Sequence, residues 1–374
     1  MFDASSFANR SVFVTGHTGF KGSWLCLWLA RIGARVTGYA LEPPTSPSHF
    51  EIAGVEDVLA AHHIADIRDT EALTRAMVAA QPDYVLHLAA QTVVRTGYEE
   101  PYETFSVNVM GTASVMEAVR ALGKPCNVVV VTSDKCYENK EQSWGYRETD
   151  ALGDKDPYGG SKGAAELVVR SYRESFFHPD RLSQHGVKVA TARAGNVIGG
   201  GDWTAHALIV DLARSMTTGL PVEIRSPGAY RPWQHVLQAL SGYLTVAARL
   251  DRDDDPAVCS AWNIGPLPGN EIPVSEIADL FIEHWGSGDW IDVSRPLQER
   301  EAHILRLCID KALWDLGWTP QWSTREVVAR TVDWYRAWHE GDRDMRGVSL
   351  AQIEAYESSM RSSAQKKVPE LLAA

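Results

Sequence analysis

Short apolar runs separated by amphipathic stretches set the rhythm of the first half of the chain. "SVFVT", "ARVTGYAL", "DYVLHLAA", "CNVVVVTS" and "VKVATARAG" are strand-length and dense in apolar, largely branched residues, and they predict buried strands. Between them apolar positions recur with helical period: Phe20 to Arg31, Asp69 to Ala80, Pro101 to Leu122 and Pro157 to Phe177. Another strand, third in chain order, is expected to end at "ADIRD". Strands that alternate with helices need right-handed crossovers, which give a parallel sheet covered on both faces. The expected class is α/β, a doubly wound parallel sheet.

Beyond residue 195 the rhythm loosens. Gly- and Pro-rich joints ("VIGGGDW", "RSPGAYRP", "NIGPLPGNEIP") separate helical patterns from short apolar strands. This predicts a smaller, mixed C-terminal domain that closes over the first, with segments around "HVLQALSGYL" and "AWNIG" returning to the sheet. The expected division is residues 1–195 with 229–265 in the larger domain and 196–228 with 266–360 in the smaller. Residues 361–374 have little apolar periodicity before "ELLAA" and read as a tail.

Composition narrows the class of partner. A 374-residue chain with 45% hydrophobic and 22% charged residues is an ordinary globular protein large enough for two joined parts. Its net charge of −12 argues against nucleic acid as a partner, since phosphate backbones are met by basic faces. Five cysteines without a CxxC spacing point to reduced thiols in the cytoplasm. The first residues lack the pattern of a signal peptide, and no apolar run reaches membrane-spanning length. The His62–His63 pair has no third ligand at metal-site spacing, so no metal is expected.

"VTGHTGFKG" places Gly16, Gly19 and Gly22 between the first strand and the first helix. In a Rossmann-like sheet this turn binds dinucleotides, because glycine lets the backbone approach a pyrophosphate at a helix N-terminus. Thr18, Phe20 and Lys21 belong to the same turn, and a plain turn is the competing reading. The second strand ends "GYALEPPTSP", without the acid that usually holds the ribose, so spacing alone leaves NAD and NADP open. Asp66 and Ile67 end the third strand beside the expected adenine site; a helix cap is the alternative. Leu88, Ala89 and Ala90 end the fourth strand with residues small enough for a cofactor to lie across.

"VTSDKCYE" puts Thr132, Ser133, Asp134 and Lys135 at the end of a valine-rich strand, where open α/β sheets bind ligands. "PYGGSK" follows, with Tyr158 and Lys162 on one helical face, and no other of the twelve tyrosines has a lysine four residues later. A nearby ammonium and an oxidised nicotinamide would lower the phenol toward working pH, making it a base for an alcohol proton. Ser133 would align the same substrate oxygen.

On "TGHTGFKG", "LAAQ", "SVNVMGT", "TSD", "YGGSK", "RAGNVIGGGDW" and "WNIG", in that order over nearly the whole chain, the sequence resembles the extended short-chain dehydrogenase/reductases. "TSDKCYEN" and "RPWQHVLQALSGYL" make it most similar to the nucleotide-sugar 4,6-dehydratases, in particular those acting on CDP-glucose. The resemblance implies recycled NAD and a substrate oxidised at C4, dehydrated across C5 and C6, and reduced at C6 to a 4-keto-6-deoxy sugar for deoxysugar biosynthesis. It also implies Tyr158 as the C4 base, Asp134 as the acid for the leaving hydroxyl and Lys135 as the C5 base or a positioning group. Gln91, Arg95, Asn196 and Arg231 would lie near sugar and diphosphate, with Arg300 and His303 as further contacts, and Asn108 would reach the catalytic group through water. Gly159, where many relatives carry Ser, is expected to be a neutral departure. A homodimer or dimer of dimers would pack through helices 101–122 and 157–177. A 4-epimerase, or a cofactor-sensing protein without chemistry, remains open on residues alone.

Overall fold

The fully apolar run of the fifth strand has to be buried on both sides, and the sheet that accomplishes this organises the chain. The computed structural model describes residues 3–253, 255–294 and 304–372. Seven strands, β1 (Ser11–Thr15), β2 (Arg35–Ala40), β3 (Ala61–Ile64), β4 (Tyr84–His87), β5 (Cys126–Val131), β6 (Val187–Arg193) and β7 (Ala261–Asn263), form one sheet in the order β7-β6-β5-β4-β1-β2-β3. Every pairing in it is parallel. The strand order reverses between β1 and β4, which opens the crevice at their carboxyl ends where such sheets take ligands.

The period-two alternation of each strand divides the core between two faces. Val12, Val14, Leu86, Val129 and Val131 pack on one side with helices Phe20–Arg31 and Val236–Arg252. Phe13, Val85, Val128 and Val130 pack on the other with Thr70–Ala80 and Gly111–Leu122. This is the doubly wound, Rossmann-like sheet expected. "AWNIG" returns as the edge strand β7, and "HVLQALSGYL" returns as a buried helix.

Two expectations need correction. The helix from Pro101 to Leu122 is three pieces: Pro101–Phe105, a π-helical turn Ser106–Met110, and Gly111–Leu122. The wider turn accompanies the buried amide of Asn108, which bonds outside its own helix. The chain is also helical from Met345 to Leu372, through most of the stretch read as a tail.

After β6 the pairings are short and mixed. Val197–Ile198 lies parallel to Gln234–His235, Val222–Ile224 parallel to Trp290–Asp292, and Tyr230–Arg231 antiparallel to Ile272–Pro273. Among the described residues no helix is long and apolar enough to cross a membrane.

Candidate active site

The glycine turn is shaped by lack of room. Gly16 has φ of 76°, and a Cβ there would lie 2.6 Å from the amide nitrogen of Ala89. At Gly22 it would lie 2.1 Å from the carbonyl oxygen of Gly16. At Gly19 the nearest atom is 3.4 Å away, and helix Phe20–Arg31 starts there without a side-chain cap. Gly16 and Gly22 therefore serve the chain's own packing, whereas Gly19 leaves backbone and helix end open to an incoming phosphate, which fits a dinucleotide. The Thr18 hydroxyl donates to the carbonyl of Leu41 at 2.8 Å and ties the turn to the end of β2. Phe20 and Lys21 open the helix, both half-buried. Leu88, Ala89 and Ala90 run alongside, with the Leu88 amide donating to the Thr15 carbonyl. Ile67 is buried and packs where a Cβ on Gly111 would stand, while the Asp66 carboxylate is held by Arg68 at 2.6 Å.

Across the crevice, β5 ends in a turn built around Ser133. Its hydroxyl accepts from the Lys135 amide at 3.2 Å and donates to Asp134 Oδ1 at 3.0 Å, and it stands near enough to the Tyr158 phenol to act on it. Asp134 is 2% exposed, in a recess that exists because residue 195 is glycine: a Cβ there would lie 1.7 Å from Asp134 Oδ2. Tyr158 and Lys162 are buried on helix Pro157–Ser175, whose first turn is set by Pro157 and by Asp156 accepting from the Gly159 amide at 3.0 Å. A Cβ on Gly159 would lie 2.8 Å from the Lys135 carbonyl oxygen and 2.6 Å from Asp154 Cβ. The departure expected to be neutral thus lets helix and catalytic turn touch.

Asn108 reaches this helix directly rather than through water. Its amide donates to Ser161 Oγ at 2.8 Å, and that hydroxyl donates to the Tyr158 carbonyl at 2.7 Å. The same amide clamps the backbone of Gln91, accepting from its N–H and donating to its carbonyl, both at 2.9 Å.

Burial dominates the electrostatics. It raises the Asp134 carboxyl above the ordinary aspartate range, with Lys135, Ser133, Arg231 and Lys21 pulling the other way, and Oδ2 has no hydrogen-bond partner among the described residues. Burial and then the Lys21 ammonium lower Lys162 to about 8. Tyr158 is pushed up, by burial first and then by Asp134, Asp156 and Cys136, with Ser133 opposing. The depressed phenol expected from the sequence is therefore not a product of the protein's own groups.

Residues 12–265 match the NAD dependent epimerase/dehydratase family. The chain belongs to this family. It is 47% identical over 360 residues to a CDP-glucose 4,6-dehydratase of Salmonella typhimurium, covering 96% of this chain and 99% of that protein. A dTDP-glucose 4,6-dehydratase of Streptomyces venezuelae, solved with NAD bound, superposes with a TM-score of 0.72 at 25% identity, over 87% of this chain and 96% of that one. A UDP-glucose 4-epimerase of Thermotoga maritima shares the fold at a TM-score of 0.73 and 23% identity, over 88% and 99% of the two chains.

Set against this epimerase/dehydratase framework, several residues singled out from sequence stand elsewhere. Arg95 is exposed and paired with Glu99 one turn on at 2.9 Å. The Gln91 side chain is engaged internally with Thr104 and the Val93 amide. The Thr132 hydroxyl donates to Glu166. Arg231 is buried near enough to act on Asp134, and Asn196, at φ 45°, begins the segment that pairs with Gln234. Arg300 and His303 lie outside the described residues.

Sequence reasoning passed over four groups. Gly195 makes the Asp134 recess, and Asp202 in "GGGDW" acts on Lys21. The Tyr243 hydroxyl is buried without a partner among the described residues, close enough to feel Tyr158 and Asp134. His17, inside the glycine turn, bonds His62 at 2.8 Å and fills the space left by Gly38. Only the glycine-rich run before Asp202 gave a local signal. Trp203 packs edge-on to Trp334, and the Trp233 indole donates to the Ile272 carbonyl at 3.2 Å.

Proposed function

We propose that the chain is an NAD-dependent dehydratase that converts CDP-D-glucose to CDP-4-keto-6-deoxy-D-glucose. The observation that carries this reading is a buried Asp134, its carboxyl raised above the ordinary aspartate range, bonded to Ser133 beside the buried Tyr158 phenol. A dehydratase needs an acid for the departing C6 hydroxyl beside the base for the C4 proton, and a 4-epimerase has no use for that acid. NAD, held by the Gly16–Gly22 turn and the ends of β2, β3 and β4, supplies reversible hydride acceptance. Tyr158 takes the C4 hydroxyl proton with Ser133 holding the oxygen, and the Lys162 charge favours the phenolate that results. Asp134, raised above the usual aspartate value, donates a proton to the C6 oxygen as water leaves, and Lys135 removes or positions the C5 proton. Arg231 and Asn196 face the diphosphate.

In this reading residues 1–195 with 229–265 hold the cofactor, and 196–228 with 266–360 close over the sugar. The enzyme works in the cytoplasm, in keeping with five unpaired cysteines. It assembles as a homodimer or dimer of dimers, for which the exposed Tyr102, Phe105, Met110 and Leu167 on helices at one face supply the seam. Incubation with NAD and CDP-glucose, then dTDP-, UDP- and GDP-sugars, tests it. A 4-keto-6-deoxy product formed fastest from CDP-glucose is expected; an epimerised sugar would overturn the reading. Lys135→Ala should still oxidise C4 and release no product, and normal turnover there would remove Lys135 from the elimination.

A further inference from the structure

The turn that carries Ser133, Asp134 and Lys135 is suspended between two side chains that touch no reacting atom. At its start, the Thr132 hydroxyl donates to Glu166 Oε1. At its end, the Tyr137 hydroxyl accepts from Arg193 Nη1 at 2.8 Å and donates to Asn263 Oδ1 at 2.7 Å, with the guanidinium 5.0 Å over the Tyr137 ring. Glu166 and Arg193 are bonded to each other at 2.8 Å, each with a 4% exposed side chain. Thr191 adds a further hydroxyl to Glu166, and the Glu148 carbonyl a further acceptor for Arg193.

Glu166 sits one turn beyond Lys162 on the helix that carries Tyr158, and Arg193 is the last residue of β6. The ion pair therefore links the helix bearing the base to both ends of the turn bearing the acid. A buried ion pair is poor evidence of stabilisation, because desolvation offsets most of its attraction and apolar replacements are often neutral or better. What such a pair does supply, once every oxygen is matched by a donor, is one fixed geometry.

We propose that Glu166 and Arg193 are positioning residues that hold the turn from Thr132 to Tyr137 in register with Tyr158, and so set where Asp134 and Lys135 meet the sugar. The proposal rests on the dehydratase reading. Misplacement by about an ångström is enough to slow a reaction by roughly a hundredfold, so the pair bears on rate more than on binding.

Thr132→Val and Tyr137→Phe each remove one hydroxyl and leave the pair intact, and Glu166→Gln removes its charge. Each should lower kcat, by about tenfold for the hydroxyl variants and more for Glu166→Gln, with KM and NAD affinity within about twofold. In a single turnover, C4 oxidation and elimination should both slow, because Ser133 as well as Asp134 and Lys135 stands on the turn that shifts. Unchanged kcat in the hydroxyl variants would overturn the proposal, whether or not Glu166→Gln folds. So would losses in which NAD affinity and thermal midpoint fall in proportion to kcat. Wild-type protein that yields no keto sugar would sink the dehydratase reading instead. The crystal structure of Thr132→Val/Tyr137→Phe then decides the clamp by itself: a turn displaced from Tyr158 supports it, and an unmoved turn overturns it.

Discussion

The turn after β1 and the turn after β5 face each other across the crevice and are held by opposite means. The first is held by exclusion: Gly16 and Gly22 stand where any side chain would meet backbone atoms. The second is held by attraction, with the Thr132 and Tyr137 hydroxyls bonded to the Glu166 carboxylate and the Arg193 guanidinium around charges that burial disfavours. A cradle for phosphate needs only backbone amides in a fixed curve. Acid–base chemistry needs titratable groups kept out of water, and those stay in place only if something bonds them.

The largest effect should come from Gly22→Ala. Its methyl would overlap the Gly16 carbonyl at 2.1 Å, and backbone on both sides cannot yield. A loss of about 3 kcal/mol in unfolding free energy is expected, together with collapse of NAD affinity. Near-normal values in denaturant titration and NAD binding would show that this turn is more adaptable than its geometry implies.

Lys162→Met tests the opposite turn and should act in the opposite direction. Burial lowers the folded-state value of Lys162 to about 8 from 10.5, so the unfolded chain binds the extra proton between those values. Stability therefore rises with pH through that window, and at neutral pH the buried ammonium is a net destabilisation on the order of 3 kcal/mol. Without NAD, the methionine variant should be more stable than wild type by up to that amount at pH 7, have lost activity, and show a flatter stability profile from pH 8 to 10.5. A destabilised variant at pH 7 would mean that Lys162 is held by attractions stronger than its desolvation. Arg95→Ala, outside both turns, should change kcat/KM by less than about twofold, because an exposed ion pair one helical turn long contributes little. A tenfold loss would bring Arg95 back to the substrate.

Features whose cause lies within a few residues were legible in advance. The alternation that buries β1 and β5, the glycine spacing and the four-residue step from Tyr158 to Lys162 each encode a local geometry. The pairing of Arg95 with Glu99 was not legible, because its motif says only that it follows β4. Gly159 was read as neutral because its neighbour, the Lys135 carbonyl, is brought to it by the fold and not by sequence.

By itself, then, the sequence determined the doubly wound sheet, the glycine turn after β1 and the four-residue step that puts Tyr158 and Lys162 on one helical face, since periodicity and spacing act through neighbouring residues. Tertiary structure alone decided that Gly195 makes the pocket for Asp134, that Asn108 reaches Ser161, and that Glu166 and Arg193 bracket the acid. Those contacts join residues dozens of positions apart, and only the register of β5, β6 and β7 against one helix brings their atoms within bonding distance.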